Sequence, residues 1–470
     1  MGSSNSHKKL RITNCKEIGQ AREKLLEKYR ISHGVIGEGA FGKVYKGTSI
    51  EDSQNKVAIK AFKKKQLFDD DVKSIESEIK VLCQLDHPNI IKYYESFADE
   101  GNMYIVTDYI KGQTLSKMLE KVSFALSETE AARVLYQLAS ALNHCHSKHI
   151  MHRDIKPANI MVDTKMHVTL IDFGLSNVFS KKKILRSACG TPSFMSPETI
   201  TGSYNEKCDV WSFGILMYLL LTGRLPFSGE TPRDLLSEAL SCQLQLESSL
   251  WEDISKDAKN LIKKIISTDV KERYSIQKVL EHPWFDQVRD DSTEDSHSEA
   301  ELRVLETLAG FTTENKFTKA CMRVIASITK MPQDPAISQE FSKIDEKQNA
   351  IISKEELRNA FDKKALSLSD KEINAIIGDL NYSGEQHINY TEFCTASMDK
   401  YEVLSPKNCK TLFNYFDTDK DGVVTQKDIF LGLEKSGIFT KAQIKAIVKD
   451  SGISKAKAFE LEEFEELVSF

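Results

Sequence analysis

His152-Arg153-Asp154-Ile155-Lys156-Pro157-Ala158-Asn159 is the stretch on which the reading of this chain turns. It sets an acid, a cation two positions on and a carboxamide five positions on, all within one short loop. Asp154 can take or orient a hydroxyl proton, Lys156 can neutralise a phosphate, and Asn159 can ligate a metal ion from the same segment. Upstream, Gly37-Glu38-Gly39-Ala40-Phe41-Gly42-Lys43-Val44 repeats glycine where backbone must approach a phosphate closely, which a Cβ would prevent. Fifteen residues after Gly42 comes Val57-Ala58-Ile59-Lys60. β-Branched residues flank both stretches and predict two strands joined by a turn. That is a hairpin over a nucleotide, unlike the strand-to-helix turn of a dinucleotide site.

Three further stretches follow the octet in order: Asp172-Phe173-Gly174, Ser196-Pro197-Glu198 and Asp209-Val210-Trp211-Ser212, the last opening a hydrophobic helix. Together these motifs make residues 30–285 resemble a protein kinase. Phosphoryl transfer leaves a protein little covalent work, so it must hold phosphates, metals and hydroxyl in line. The resemblance implies that Asp154, Lys156, Asn159 and Lys60 are catalytic, with magnesium held by Asn159 and Asp172 and Lys60 on the α- and β-phosphates. Residues 69–85 read as a helix with Ile75, Ile79, Leu82 and Leu85 on one face. Its Glu78 is the candidate partner of Lys60, with Glu76 as runner-up.

The same resemblance assigns ATP contacts to Ile36, to the run Gly37 through Val44, and to Ala58 and Lys60. Met103 to Tyr109 reads as a strand leading into a linker; Thr107 would line the back of the adenine pocket, and Asp108 to Ile110 would offer backbone groups to the base. Phe173 is the apolar residue whose packing reports active or inactive states, and Arg273 is the expected buried partner of Glu198. Lys156 and Gly190-Thr191-Pro192 point to serine/threonine acceptors. Ser187 is a candidate activating phosphosite, with Arg153 as counter-charge and Lys181, Lys182, Lys183 and Arg186 nearby. Kinases that favour arginine upstream of the target carry glutamates where this chain has Thr114 and Ala158. Their absence removes charge-assisted bonds of ~1.5–3 kcal/mol each.

A chain of 470 residues is too long for one core, and its composition is that of a globular protein. A formal net charge of −5 gives no reason to expect nucleic acid as a partner. Nine scattered cysteines without a Cys-x-x-Cys pair fit reduced thiols, and the expected location is cytoplasmic. The longest apolar run, Ile215 to Leu221, is far short of a membrane span, and no secretory signal peptide is present. Met1-Gly2-Ser3-Ser4-Asn5-Ser6 matches a myristoylation pattern with Gly2 as acceptor, followed by Lys8, Lys9, Arg11 and Cys15. Residues 1–29 therefore read either as an extension bearing a lipid anchor, with membrane association through it, or as a solvated terminus.

Residues 286–300 are polar and acidic and read as a linker. From 315 to 330 the pattern changes, and residues 286–330 together make a linker and junction. Phe317, Cys321, Val324 and Ile328 fall on one helix face, with Lys316, Lys319, Arg323 and Lys330 making the helix basic. A calmodulin-type lobe grips such a helix, and packing on the kinase domain is the alternative. Residues 331–470 then repeat. Glu356, Glu392, Asp428 and Glu463 each precede an apolar residue at intervals of 36, 36 and 35, with Ile352, Ile388, Val424 and Phe459 four positions before. This is the EF-hand period, in hands near 345–356, 379–392, 417–428 and 452–463.

The third loop is the convincing calcium site. Asp417, Asp419 and Asp421 stand at positions 1, 3 and 5, Gly422 at 6, the Val423 carbonyl at 7, Thr425 at 9 (through water) and Asp428 at 12. The first begins at Asp345 but carries Lys347 and Ala350 at positions 3 and 6. An ammonium ~4 Å from a divalent ion would cost roughly 8 kcal/mol at a dielectric of about 20, so Lys347 must swing out. The second loop has two registers, starting at Asn381 or, with Gly384 at the turn, at Asp379. The fourth, from Gly452 through Ser454 and Ala456, has almost no ligands.

Kinase, basic junction and four EF-hands in one chain resemble the calcium-dependent protein kinases of plants and protists. The resemblance implies an α+β chain: a two-lobed protein kinase fold followed by an all-α four-EF-hand calmodulin-like domain. It implies ATP with Mg2+ and Ca2+, protein substrates, and a junction helix that holds the enzyme off at low calcium and passes to the EF-hand domain when calcium opens a groove. Two alternatives stand beside it: a kinase with a mainly structural EF-hand domain, and a calcium-responsive scaffold with an inert kinase fold.

Overall fold

A computed structural model describes residues 12–14, 19–39, 42–50, 53, 55–121, 125–178, 190–289, 299–311, 315–329, 335–364, 366, 368–380, 386–450 and 458–469. Gly2, Ala40, Phe41, Ser187, Lys330, Asn381, Gly384, Gly452, Ser454, Ala456 and the basic run 181–186 lie outside these residues. The chain divides into two compact units. One holds Met1–Lys63, Tyr94–Asp108 and His297–Phe470, the other Lys64–Tyr93 and Tyr109–Ser296.

The first unit contains a six-stranded sheet of order β1-β5-β6-β4-β3-β2, formed by Ile12–Asn14 (β1), Tyr29–Glu38 (β2), Lys43–Ser49 (β3), Lys56–Lys63 (β4), Tyr93–Ala98 (β5) and Asn102–Asp108 (β6). Alternation in β4 buries Val57 and Ile59, and the aliphatic residues of β6 bury next to them. Helix α1 (Gln20–Lys28) covers this surface with Ala21 and Leu25, both in one core with Tyr94, Phe97 and Val106. Asp99 caps α1, accepting the Gly19 and Ala21 N–H groups at 2.9 and 3.0 Å. The extension read as residues 1–29 is therefore in part structural: β1 pairs in parallel with β5, and α1 packs on the sheet.

The same unit contains a mainly helical C-terminal region built as paired hands, so the all-α expectation is corrected by the short strands between loops. Short bridges join Ile352 to Ile388 and Val424 to Phe459, the residues expected at loop position 8. One continuous core runs from Val304 to Val468, and the junction helix (Lys316–Ile328) lies inside it, with Phe317, Cys321, Val324 and Ile325 buried. The linker reading is corrected at both ends, since residues 286–289 are helical and Glu299–Gly310 begins another helix.

The second unit is mainly helical. Helix α2 (Asp69–Leu82) opens on three aspartates, which suit a helix N-terminus, and Asp71 accepts the Phe68 N–H at 2.9 Å. It buries Ile75, Glu78, Ile79 and Leu82 and leaves Glu76 exposed, and it ends three residues before the limit read from its apolar face. The helix Lys207–Thr222 is buried on nearly every face, which explains its unbroken apolar run. No helix among the described residues is long and apolar enough to cross a membrane.

Candidate active site and calcium loops

The octet is held from beneath by Asp209. Its fully buried carboxylate accepts the His152 and Arg153 N–H groups at 2.9 and 2.7 Å and meets His146 Nε2 at 2.9 Å. Burial alone would raise Asp209, but the bond and charge of His146, then His152 and the Arg153 N–H, hold it below the usual carboxylate range. Arg153 sits at φ +69, a conformation that costs about 1–3 kcal/mol and persists only where its surroundings enforce it. Here the enforcing groups are Asp209, the Leu175 carbonyl taking Nε at 2.5 Å, and the Tyr204 hydroxyl at 3.0 Å from Nη1.

Above that anchor the polar side chains close on one another. Asp154 Oδ2 accepts Asn159 Nδ2 at 2.8 Å and pairs with Lys156 Nζ at 2.7 Å. Thr191 donates its hydroxyl to Asp154 Oδ1 at 3.1 Å and accepts from Lys156 Nζ at 2.8 Å. Asn159 Nδ2 also meets the Asp154 carbonyl at 2.8 Å. This commits the amide nitrogen and leaves the amide oxygen as the atom to face a cation, which suits a magnesium ligand. Asp172, at φ +61, presents an exposed carboxylate, while Phe173 is fully buried with its ring 4.8 Å from that of His152. Burial holds His152 below its ordinary pKa despite the carboxylates around it, so at neutral pH it is an uncharged packing partner. Glu198 and Arg273 form the expected buried pair, bidentate at 2.5 and 3.0 Å, with Ser267 and Lys207 carbonyls completing the guanidinium. Breaking such a pair from one side costs about 3–5 kcal/mol.

In the sheet, the nucleotide candidates stand in adjacent registers. Gly37 opposes Val44, Val44 opposes Lys60, and Ala58 opposes Thr107. The glycine stretch is itself the β2–β3 turn, closed by the Gly39 N–H on the Gly42 carbonyl at 2.9 Å. A Cβ on Gly42 would lie 2.5 Å from the Ala61 carbonyl oxygen, so this position requires glycine. The Asp108 side chain is buried, with Tyr94 donating to it at 3.5 Å, leaving its backbone for any base contact.

The third calcium loop fits a divalent ion. Ligand oxygens of Asp417, Asp419 and Asp421 lie within 4.8 Å of one another, and Gly422 turns at φ +88. Asp428 is held below the carboxylate range because hydroxyl and N–H bonds from Thr425 and Thr418 outweigh its desolvation. The first loop keeps the same turn without the glycine: Gln348 and Ala350 sit at φ +49 and +60, as Lys420 and Gly422 do at +61 and +88. Lys347 is exposed. Asp345 accepts the Asn349 and Ala350 N–H groups at 3.1 and 2.6 Å, yet burial pushes its pKa up to about 7. Gln348 donates to the Ser342 and Asp345 carbonyls, so a side-chain amide closes the helix end. In the second hand the entering helix ends at Leu380. Asp379 lies in that helix, and the loop residues 381–385, which distinguish the two registers, lie outside the described residues.

Sequence reasoning missed three roles: the anchor at Asp209, the bridge through Thr191, and the ion pairs of Lys319 with Asp379 and of Arg323 with Glu392. Only Thr191 carried a local signal, in Gly190-Thr191-Pro192.

A catalytic loop of this geometry and a carboxylate-lined EF-hand define a metal-dependent kinase with calcium-binding hands. A family model described as protein kinase domain matches residues 30–285, and two described as EF-hand domain pair match 335–398 and 392–433. The chain is similar to calcium-dependent protein kinase 5 of Plasmodium falciparum, 30% identical over 453 residues, covering 95% of this chain and 79% of that protein. It is 32% identical over 431 residues to calcium-dependent protein kinase 3 of Plasmodium berghei, covering 90% of this chain and 76% of that one. Calcium-dependent protein kinase 29 of Arabidopsis thaliana is 30% identical over 437 residues, with 92% and 80% covered. The chain belongs to the calcium-dependent protein kinase family. It is a calcium-regulated protein serine/threonine kinase using ATP with Mg2+.

Proposed function

We propose that Asp154 orients the acceptor hydroxyl and takes its proton, that Lys156 steadies the transferred phosphate, and that Asn159 and Asp172 hold magnesium, with Lys60 on the α- and β-phosphates. Bound magnesium supplies charge neutralisation across the phosphates. The observation that carries this reading is the closed set Asp154, Lys156, Asn159 and Thr191, in which each polar atom named fixes another. We further propose that the junction helix restrains the kinase at low calcium and is held by the EF-hand domain when calcium binds; the burial of its apolar face in that domain's core supports this. Phosphate transfer from ATP to a serine peptide is expected to rise with calcium and fall with chelator. Equal transfer in both would favour a structural EF-hand domain, and none in either would favour the scaffold.

Substrate choice follows from two positions. Ala158 is exposed, and the Thr114 hydroxyl accepts the Lys117 N–H at 3.3 Å, so neither offers a carboxylate to an upstream arginine. A peptide array is expected to show weak selection three residues before the acceptor; a dominant arginine there would overturn this. For location we propose the cytoplasm, with membrane association through acylated Gly2. Gly2→Ala should then partition into membranes less than the parent in a fractionation assay.

A further inference from the structure

The strand that carries Lys60 is used from both faces. Along β4, Val57, Ile59 and Ala61 join the core shared with α1, so alternation sets Ala58 and Lys60 on the opposite face. Strand β6 keeps the same division. Ile59 pairs with Val106 and Ala61 with Tyr104 on the α1 face, while Ala58 pairs with Thr107 and Lys60 with Ile105 on the other. From there Lys60 reaches the glycine turn: its Cε comes within 3.8 Å of the place that a Cβ on Gly39 would take. The strand under the lysine is therefore backed by side chains of a helix outside the sheet.

That helix is tied down at both ends. Asp99, between β5 and β6, divides its carboxylate. Oδ2 accepts the Gly19 and Ala21 N–H groups at 2.9 and 3.0 Å, and Oδ1 accepts those of Gly101 and Asn102, both at 2.8 Å. Burial alone would raise the pKa of Asp99, but these N–H groups hold it below the usual carboxylate range. It stays an anion at the helix N-terminus, where negative charge is favoured. At the other end Glu95 on β5 takes Lys28 Nζ at 2.6 Å and the Tyr29 hydroxyl at 2.8 Å, and the Lys28 carbonyl accepts the Ile50 N–H at 2.9 Å. Between the ends, Ala21 and Leu25 are fully buried in the core that holds Val57, Ile59, Tyr104 and Val106.

We propose that α1 is a positioning element for Lys60, with Leu25 supporting β4 from behind and Asp99 fixing where the helix lies. This rests on the role given to Lys60 above. A close-packed core relaxes only partly around lost volume, so a gap behind Ile59 draws β4 toward it and moves the lysine on the other face. An ammonium that must meet the α- and β-phosphates from a strand is sensitive to such a shift. A misplacement of about 1 Å can cost about 10²-fold. The segment ahead of the kinase motifs thereby belongs to the nucleotide site, acting through β4.

The test is steady-state transfer by the full chain at saturating calcium, with ATP and a serine peptide varied separately. Leu25→Ala opens space behind β4. Asp99→Asn keeps Oδ1 for its own turn but sets an amide nitrogen against the Gly19 and Ala21 N–H groups. Each should raise KM for ATP about tenfold, within the loss that a shift of about 1 Å allows, and leave KM for the peptide unchanged. Leu25→Met nearly conserves volume and should restore the parent value. A merely structural role would lower kcat through loss of folded enzyme with both KM values unmoved, and that result overturns the proposal. So does an unchanged KM for ATP in either variant shown to be folded by circular dichroism. Calorimetry of Mg-ATP binding to Lys60→Met separates this proposal from the reading beneath it. Weakened binding there, with KM for ATP unmoved in Leu25→Ala, removes the role of α1 alone. Binding as tight as the parent's in Lys60→Met removes the role of Lys60, and the proposal with it.

Discussion

Asparagine at Asp154 is expected to lower phosphate transfer by about 10²–10⁴-fold, the usual contribution of a positioned general base. The carboxylate meets three partners, with Oδ2 shared by Asn159 and Lys156 and Oδ1 taken by Thr191. An amide keeps the shape but has one acceptor oxygen, and its nitrogen would face donors. Both the proton acceptor and the charge opposite Lys156 are lost. Because the octet is anchored below by Asp209, the loop should keep its path, and nucleotide affinity should stay close to the parent's. A steady-state assay alongside a nucleotide-binding measurement checks this. Full activity in the variant would remove Asp154 from the role given to it.

Alanine at both Asp417 and Asp419 should abolish most of the calcium response. These side chains supply two of the three clustered carboxylates of the third loop. Ligand charge is a main control on EF-hand affinity across roughly six decades, so losing two charges should weaken the site by about 10²-fold or more. The turn loses the Asp421 and Gly422 N–H bonds to the Asp417 carboxylate, at 3.2 and 3.1 Å, but the Val424–Phe459 bridge involves neither side chain and should preserve the fold. The measurement is transfer to a peptide as a function of free calcium, with the parent as reference. A double variant that switches with the parent's midpoint would place the sensing elsewhere.

How much of this was legible in the sequence depended on how far apart the partners are. The octet could be read because its three chemical groups lie within six positions, Asp154 to Asn159, and the third calcium loop because its ligands alternate over five, Asp417 to Asp421. The bridges between hands could be anticipated from the repeat, since Ile352 and Ile388 occupy equivalent places. Thr191 is 37 residues from Asp154, and Glu392 is 69 from Arg323; no local pattern joins them, so those bonds emerge only with the fold. Strand β1 is three residues long, too short to show a period, and is set by the edge of β5. The basic residues of the junction misled in a different way. Charge on a helix normally means a wet face, yet Lys319 is buried because Asp379 and Phe311 are there to receive it. The second loop's ambiguity was one of register. Gly384 favoured one start, and the spacing back from Glu392 favoured the other.

The shared interior of the C-terminal region has a consequence for where the polypeptide can be divided. A fragment beginning at 331 would follow the EF-hand repeat faithfully and still cut away Phe317, Cys321, Val324 and Ile325, which are core residues of that fragment. Fully burying a side chain of this size is worth about 1.5–3 kcal/mol, so their loss is comparable with the whole stability of many small proteins. The smallest piece that retains its own filling starts near Glu299, ahead of Val304 and Leu305. Sensor and trigger are in that sense a single folding unit, and neither half would be expected to keep its native form when expressed alone.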